Sequence, residues 1–180
     1  MLIKLFDKSE FGSRGERRIL FISIAVCAVL LLLDQVTKHL VIHYIALGER
    51  IEIIPGLFNL TYITNRGAAW GILSGQRWLL LGFGLAVLAS AICAMRWFTE
   101  GWNERYIALF MVISGIIGNS IDRLWRHEVV DFLDCYIGDK HWPAFNVADS
   151  AICVGIGIYV LSLLLRPQKK EKQEKSEAAE

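Results

Sequence analysis

The chain has 180 residues, 54% of them hydrophobic, with a mean hydropathy of +0.43 and a formal net charge of +1. That length allows one domain or two very small ones, and the apolar share exceeds the roughly 45–50% of soluble chains. It excludes disorder for most of the chain, and the balanced charge excludes a nucleic-acid binder, which needs positive charge to displace counterions.

The apolar residues are bunched into runs, so we read an all-α membrane protein with four transmembrane helices. A basic N-terminal segment, 1–18, precedes a charge-free run from Ile19 to Leu33, which continues as helix through Asp34 and Lys38 towards Tyr44. A basic start and a 15-residue apolar run resemble a secretory leader. The run nevertheless leads into Asp34-Gln35-Val36-Thr37-Lys38, with no small-residue cleavage site, so it is expected to be retained. In the connection over 44–77, β-branched and aromatic runs flank Pro55-Gly56 between Ile51 and Ile63, which predicts a hairpin. Trp78–Met95 is the second span, with 18 uncharged residues, and the turn over 96–105 follows. The third span is Tyr106–Ile121, the second long connection is 124–144, and the fourth span is Phe145–Leu165. A spanning helix needs about 20 mainly apolar residues. The second run qualifies outright; the others do so if polar residues near one end are tolerated. The tail, 166–180, is basic and reads as a solvated end.

Orientation follows from Lys and Arg, which concentrate on the cytoplasmic side. Lys4, Lys8, Arg14, Arg17 and Arg18 precede the first span, Arg96 and Arg105 lie in the middle turn, and Arg166, Lys169, Lys170, Lys172 and Lys175 follow the fourth. The other two connections hold only Arg50, Arg66, Arg77, Arg126 and Lys140. Both termini are therefore expected in the cytoplasm, with 44–77 and 124–144 outside and 19–165 forming the membrane domain.

Helix rise then places the polar residues. Asp34 lies 16 positions beyond Arg18, which is roughly 24 Å; Asp122 lies 17 beyond Arg105, and Asp149 lies 17 before Arg166, each roughly 26 Å. Three carboxylates on three helices share one depth near the outer edge of the bilayer, and Asp131 and Asp134 can fold back to it. The inner ends carry basic anchors alone. Ionisable groups at such depth are costly and mark function. The structural alternative for Asp34 and Lys38 is an i,i+4 ion pair.

The histidines, His39, His43, His127 and His141, have neither metal-binding spacing nor a nucleophile motif, so no metal and no cofactor are expected. Cys27, Cys93 and Cys153 lie within spans as small apolar filler, and Cys135 lies outside. Trp70, Trp78, Trp102, Trp125 and Trp142 read as an aromatic belt. What remains is two carboxylates sharing one proton, acid and base on a water. Spacing does not choose the pair from Asp34, Asp122, Asp131, Asp134 and Asp149.

Five stretches carry a resemblance: Asp34-Gln35-Val36-Thr37-Lys38, Asn65-Arg66-Gly67-Ala68-Ala69-Trp70-Gly71, Gly118-Asn119-Ser120-Ile121-Asp122-Arg123, Val129-Val130-Asp131-Phe132 and Phe145-Asn146-Val147-Ala148-Asp149. In this order, over roughly residues 18 to 165, they resemble the bacterial type II (lipoprotein) signal peptidases. The resemblance implies an aspartic endopeptidase of the bacterial inner membrane, acting on prolipoproteins whose lipobox cysteine carries diacylglycerol and cutting just N-terminal to that cysteine. It implies Asp131 and Asp149 as catalytic residues, supported by Asp34, Lys38, Asn65, Gly67, Asn119, Asp122, Arg123, Asn146 and Ala148. It also implies a small external β-sheet, a short external helical element over the site, contact with membrane lipid, and inhibition by lipopeptides of the globomycin type.

On the residues alone, Asn119 and Arg123 share a helix face, and Asn146, three before Asp149, is expected on the face of that aspartate. Interhelical polar glue is the other reading of these groups. The Gly67-Ala68-Ala69 run serves either close backbone approach or a tight turn beside Asn65. The functional alternative is a small proton-linked transporter or channel subunit. Such sites lie near the midplane, whereas these residues gather at one outer level with no second acidic cluster.

Overall fold

The computed structural model describes residues 14–165; the expected cytoplasmic tail and most of the N-terminal segment lie outside the described residues. Five helices and a small sheet follow in the order α1 (Arg14–Tyr44), β1 (Arg50–Ile54), β2 (Phe58–Asn65), α2 (Arg77–Cys93), α3 (Met95–Thr99), α4 (Asn103–Trp125), β3 (Val129–Ile137), β4 (Lys140–His141) and α5 (Val147–Leu165).

Among the described residues, α1, α4 and α5 are long and apolar enough to cross a membrane. The second apolar run, expected to be the clearest span, forms a helix of only 17 residues, about 26 Å against a hydrocarbon layer of about 30 Å. It stops because Ala94 leaves helical geometry (φ −105°, ψ 16°), and the short helix α3 starts at Met95. That turn seats Met95 in an apolar cluster with Ile19 and Tyr106. The left-handed pair Glu100 (φ 48°) and Gly101 (φ 80°) then reverses the chain into α4.

Helix α4 is the centre of the bundle and packs on α1, α2, α3 and, most extensively, α5. Lipid gives apolar side chains no reason to hide, so close contact depends on small residues and polar glue. A Cβ on Gly115 would clash with the Ala148 carbonyl oxygen, and one on Gly155 would lie 2.7 Å from that of Ala108. Both glycines let α4 and α5 touch backbone to backbone. The outer surfaces are apolar: Phe21, Leu32, Phe83, Leu85 and Leu164 are exposed. Cys93 and Cys153 are exposed too, so the expectation that they fill a core is corrected. Of the belt tryptophans, Trp70, Trp78, Trp125 and Trp142 are exposed, while Trp102 is half-buried at the start of α4.

The predicted hairpin forms, with Leu57 N–H donating to the Ile54 carbonyl across Pro55-Gly56. The sheet order is β1-β2-β3-β4, antiparallel throughout. Strand β3, drawn from the second long connection, pairs Asp131 with Ile63 and Val129 with Asn65. The sheet is anchored to the end of α1 by an apolar cluster of Val41, Ile45, Val130 and Phe132. His127, left-handed at φ 71°, turns the chain from α4 into this strand.

Candidate active site

At the sheet end of the bundle, the residue before α5 does two jobs. Asn146 Oδ1 accepts the Asp149 amide at 3.0 Å, and Asp149 Oδ2 accepts the Asn146 amide at 3.2 Å. This reciprocal capping box opens α5 and places the Asp149 carboxylate at a helix N-terminus, where the backbone dipoles favour negative charge. Asn146 therefore sits ahead of the helix, not on the face expected for it. Its Nδ2 donates to Asp131 Oδ1 at 2.7 Å, to the Val130 carbonyl at 3.2 Å and to Asn119 Oδ1 at 3.3 Å. Asp131 and Asp149 are thus bound to the same asparagine, one from a strand and one from a helix.

Each carboxylate has a second amide donor. Asn119 Nδ2 on α4 reaches Asp149 Oδ1 at 2.7 Å, and Asn65 Nδ2 on β2 reaches Asp131 Oδ2 at 3.2 Å. Burial, and after it the negative charge of Asp149, push the Asp131 carboxyl up to about 7. A carboxyl that titrates near neutral pH can serve as either acid or base there.

Behind this pair lies a buried ionic cluster. Lys38 Nζ sits 2.8 Å from Asp34 Oδ2, 2.9 Å from Asp122 Oδ2 and 3.1 Å from Asn119 Oδ1. All three charged side chains are at most 1% exposed. Isolated, any of them would be prohibitively costly there, so the three stand or fall together. The i,i+4 pair of Asp34 and Lys38 is real, yet it is one side of a three-helix junction. Asp34 Oδ1 also accepts the Ala148 amide at 2.9 Å. Gly118 makes room for it, since a Cβ there would lie 2.6 Å from Asp34 Oδ2.

On the open side, Gly67 is buried in a tight loop where a Cβ would lie 2.7 Å from the Ile72 carbonyl oxygen. Asn65 Oδ1 accepts its amide at 2.9 Å, and Arg123 Nη2 donates to its carbonyl at 2.8 Å. The Arg123 Nε atom is buried without a protein acceptor. A single 3₁₀ turn, Ala69–Gly71, follows, with Trp70 left-handed at φ 55° and its ring edge-on to Trp142 at 5.6 Å. This turn, Asn65 and Asp131 line a cleft of about 460 Å³.

Three expectations are corrected. Asp134 is not part of the cluster. It lies three residues along β3 from Asp131, and successive strand side chains point to opposite faces. It is held instead by Asn59 at 2.9 Å and His141 at 2.8 Å, bonds that outweigh its burial and keep its carboxyl below the usual range. Asp131 itself, read within the connection over 124–144, is carried by a paired strand. Finally, the basic anchors at the far end are not alone: Arg105, fully buried, pairs with Glu100 at 2.8 Å and bonds Ser162 Oγ at 3.0 Å. Sequence reading also passed over Gln35 and Arg126, which join the Lys38 cluster. The i,i+4 spacing of Asp122 and Arg126 was the available signal. Among the described residues no three His, Cys, Asp or Glu side chains are grouped to hold a metal ion.

The signal peptidase (SPase) II family model matches residues 26–165. The lipoprotein signal peptidase of Halalkalibacterium halodurans is 43% identical over 153 residues, covering 84% of this chain and 96% of the relative. That of Bacillus subtilis is 39% identical over 149 residues, covering 83% and 97%. A solved structure of a bacterial membrane enzyme superposes with a TM-score of 0.74 at 33% identity, over 79% of this chain and 87% of the other.

Proposed function

The chain belongs to the signal peptidase II family, the lipoprotein signal peptidases, and on that premise we propose that it is an aspartic endopeptidase whose working pair is Asp131 and Asp149. The observation that carries this reading is the shared ligand: both carboxylates are hydrogen-bonded to Asn146. Two carboxylates held by one asparagine, with Asp131 at about 7, suit the activation of water.

In the reaction, the ionised carboxylate takes a proton from a water while the water oxygen attacks the carbonyl carbon before the modified cysteine. The protonated carboxyl gives its proton to the carbonyl oxygen. The tetrahedral diol then collapses: the C–N bond breaks, the pair returns a proton to the cysteine nitrogen, and the signal peptide leaves as a carboxylic acid. The free Nε–H of Arg123 is available to the developing oxyanion, where a positioned donor is worth most. Asn119, Asn146 and Asn65 hold the pair; Gly67 lets the loop backbone approach Arg123. Asp34, Lys38, Asp122 and Ala148 fix the helices that carry them.

The substrate is a diacylglyceryl prolipoprotein, cut N-terminal to its lipidated cysteine. Each acyl methylene buried contributes about 0.8 kcal/mol, so the lipid supplies binding energy that a bare peptide lacks. We place α2 and α3 together as the second of four spans, the termini in the cytoplasm and the sheet outside, with the site near the outer face of the inner membrane. The turn at Ala69–Gly71 is the element over the site, and lipopeptides of the globomycin type compete for the cleft. The test is incubation of the purified protein in lipid with acylated and unacylated prolipoprotein, followed by mass spectrometry. The acylated form should yield a new N-terminus at the cysteine and the unacylated form should react far more slowly. Equal rates, or a cut elsewhere, would refute the assignment.

A further inference from the structure

The buried carboxylates behind the site act on backbone, each at the residue just before a working aspartate. Asp122 Oδ2 accepts the Val130 amide at 3.3 Å, one residue before Asp131. Asp34 Oδ1 accepts the Ala148 amide at 2.9 Å, one residue before Asp149. Lys38 ties the two acids together, but one ammonium against two carboxylates leaves one negative charge uncompensated. Arg126 meets that deficit. Its Nη1 lies 2.5 Å from Asp122 Oδ1, the oxygen that Lys38 does not take. The same Nη1 is 3.5 Å from Gln35 Oε1, and Gln35 Nε2 donates to Asp34 Oδ2 at 3.0 Å and Asp122 Oδ1 at 3.4 Å. The Arg126 side chain is 30% exposed, so it neutralises the cluster from its rim.

We propose that Arg126, steered by Gln35, is a positioning residue for the hydrolytic centre: it completes the charge balance of Asp34, Lys38 and Asp122 and, through Asp122 and the Val130 amide, fixes the place and protonation of Asp131. The inference rests on the aspartic-peptidase reading. Asp131 is faced by the charges of Asp149 on α5, Lys38 on α1 and Arg123 on α4, and by the neutral donors Asn65 and Asn146. Removing the Arg126 charge makes the potential around Asp131 more negative, so Asp131 holds its proton to higher pH. The ascending limb of the rate profile, where a carboxylate must ionise to serve as base, then moves to higher pH.

The test compares the parent, Arg126→Gln, Arg126→Lys, Gln35→Ala and Asp131→Asn, all in lipid nanodiscs with a diacylated prolipoprotein peptide, across the pH range. Arg126→Gln should lower kcat about tenfold with KM within about twofold, and raise the ascending limb by about half a pH unit. Arg126→Lys should restore both. If Arg126→Gln does not survive purification, Gln35→Ala carries the same prediction at about threefold in kcat. A parental kcat and pH profile in Arg126→Gln, or an Arg126→Lys as impaired as Arg126→Gln, would overturn the proposal. Asp131→Asn separates the two levels: an active Asp131→Asn defeats the aspartic reading itself, whereas an inactive one beside a parental Arg126→Gln defeats only the role of Arg126.

Discussion

Replacing Lys38 with methionine keeps the aliphatic stem and removes the ammonium from between two acids. Lys38 is 0% exposed and touches Asp34 at 2.8 Å and Asp122 at 2.9 Å. Breaking a buried ion pair by removing one partner costs about 3–5 kcal/mol, because the other charge is left buried and unpaired. For a chain of this size each kcal/mol moves the midpoint by about 2–4 °C, so the midpoint should fall by roughly 6–20 °C. Thermal unfolding in detergent micelles, followed by intrinsic tryptophan fluorescence, reads this directly. The same mechanism makes a second demand: adding Asp34→Asn and Asp122→Asn to Lys38→Met removes the stranded charges while keeping acceptors for Ala148 and Val130. About half of the loss should return. A single variant within about 2 °C of the parent, or a triple variant no more stable than the single one, would refute the view that charge balance holds this junction.

Asn146→Ala removes the bonds to Asp131, Val130 and Asn119 together with the cap of α5, and should lower kcat on acylated substrate by about 100-fold; a loss under about threefold would count against Asn146 as the bridge. Gly115→Ala should destabilise the protein by about 1–3 kcal/mol or more through the clash with the Ala148 carbonyl. Gly82→Ala, with no atom within 4 Å of the new methyl, should be neutral or stabilising in helix α2, and unfolding midpoints compare the two. Asp131 has a carboxyl pKa of about 7 in the folded chain against an ordinary value of 3.8. The native state therefore binds the extra proton between these values, and stability falls as pH rises through that window. Asp131→Asn should abolish this decline and melt higher than the parent at alkaline pH; identical pH dependence in the two proteins would contradict it.

The level of the site was legible in sequence because helix rise is a local, regular quantity. Counting from Arg18, Arg105 and Arg166 put Asp34, Asp122 and Asp149 at one depth, and in the structure Asp34 caps the Ala148 amide while Asn119, one turn before Arg123, holds Asp149. The hairpin around Pro55-Gly56 was legible for the same reason, since its turn chemistry lies within a few residues. Strand β3 was not. Its partner Ile63 lies far away in sequence from Asp131, and no local pattern encodes a pairing at that separation. The side-chain alternation of that strand also removes Asp134 from the site, a distinction invisible while 124–144 read as a connection. The break at Ala94 is tertiary as well: nothing in an uninterrupted apolar run says that Met95 will turn inward against Ile19 and Tyr106. Asn146 was placed near Asp149 by its three-residue spacing, but the capping box that joins them depends on the helix starting at Val147.

Single-turnover cleavage of a diacylated prolipoprotein by Asp131→Asn and Asp149→Asn tests most directly whether the two carboxylates work as one unit, with binding of a globomycin-type lipopeptide measured alongside. Each variant should still fold and still take up the inhibitor, yet release no signal peptide. Turnover at the parental rate by either variant would contradict it.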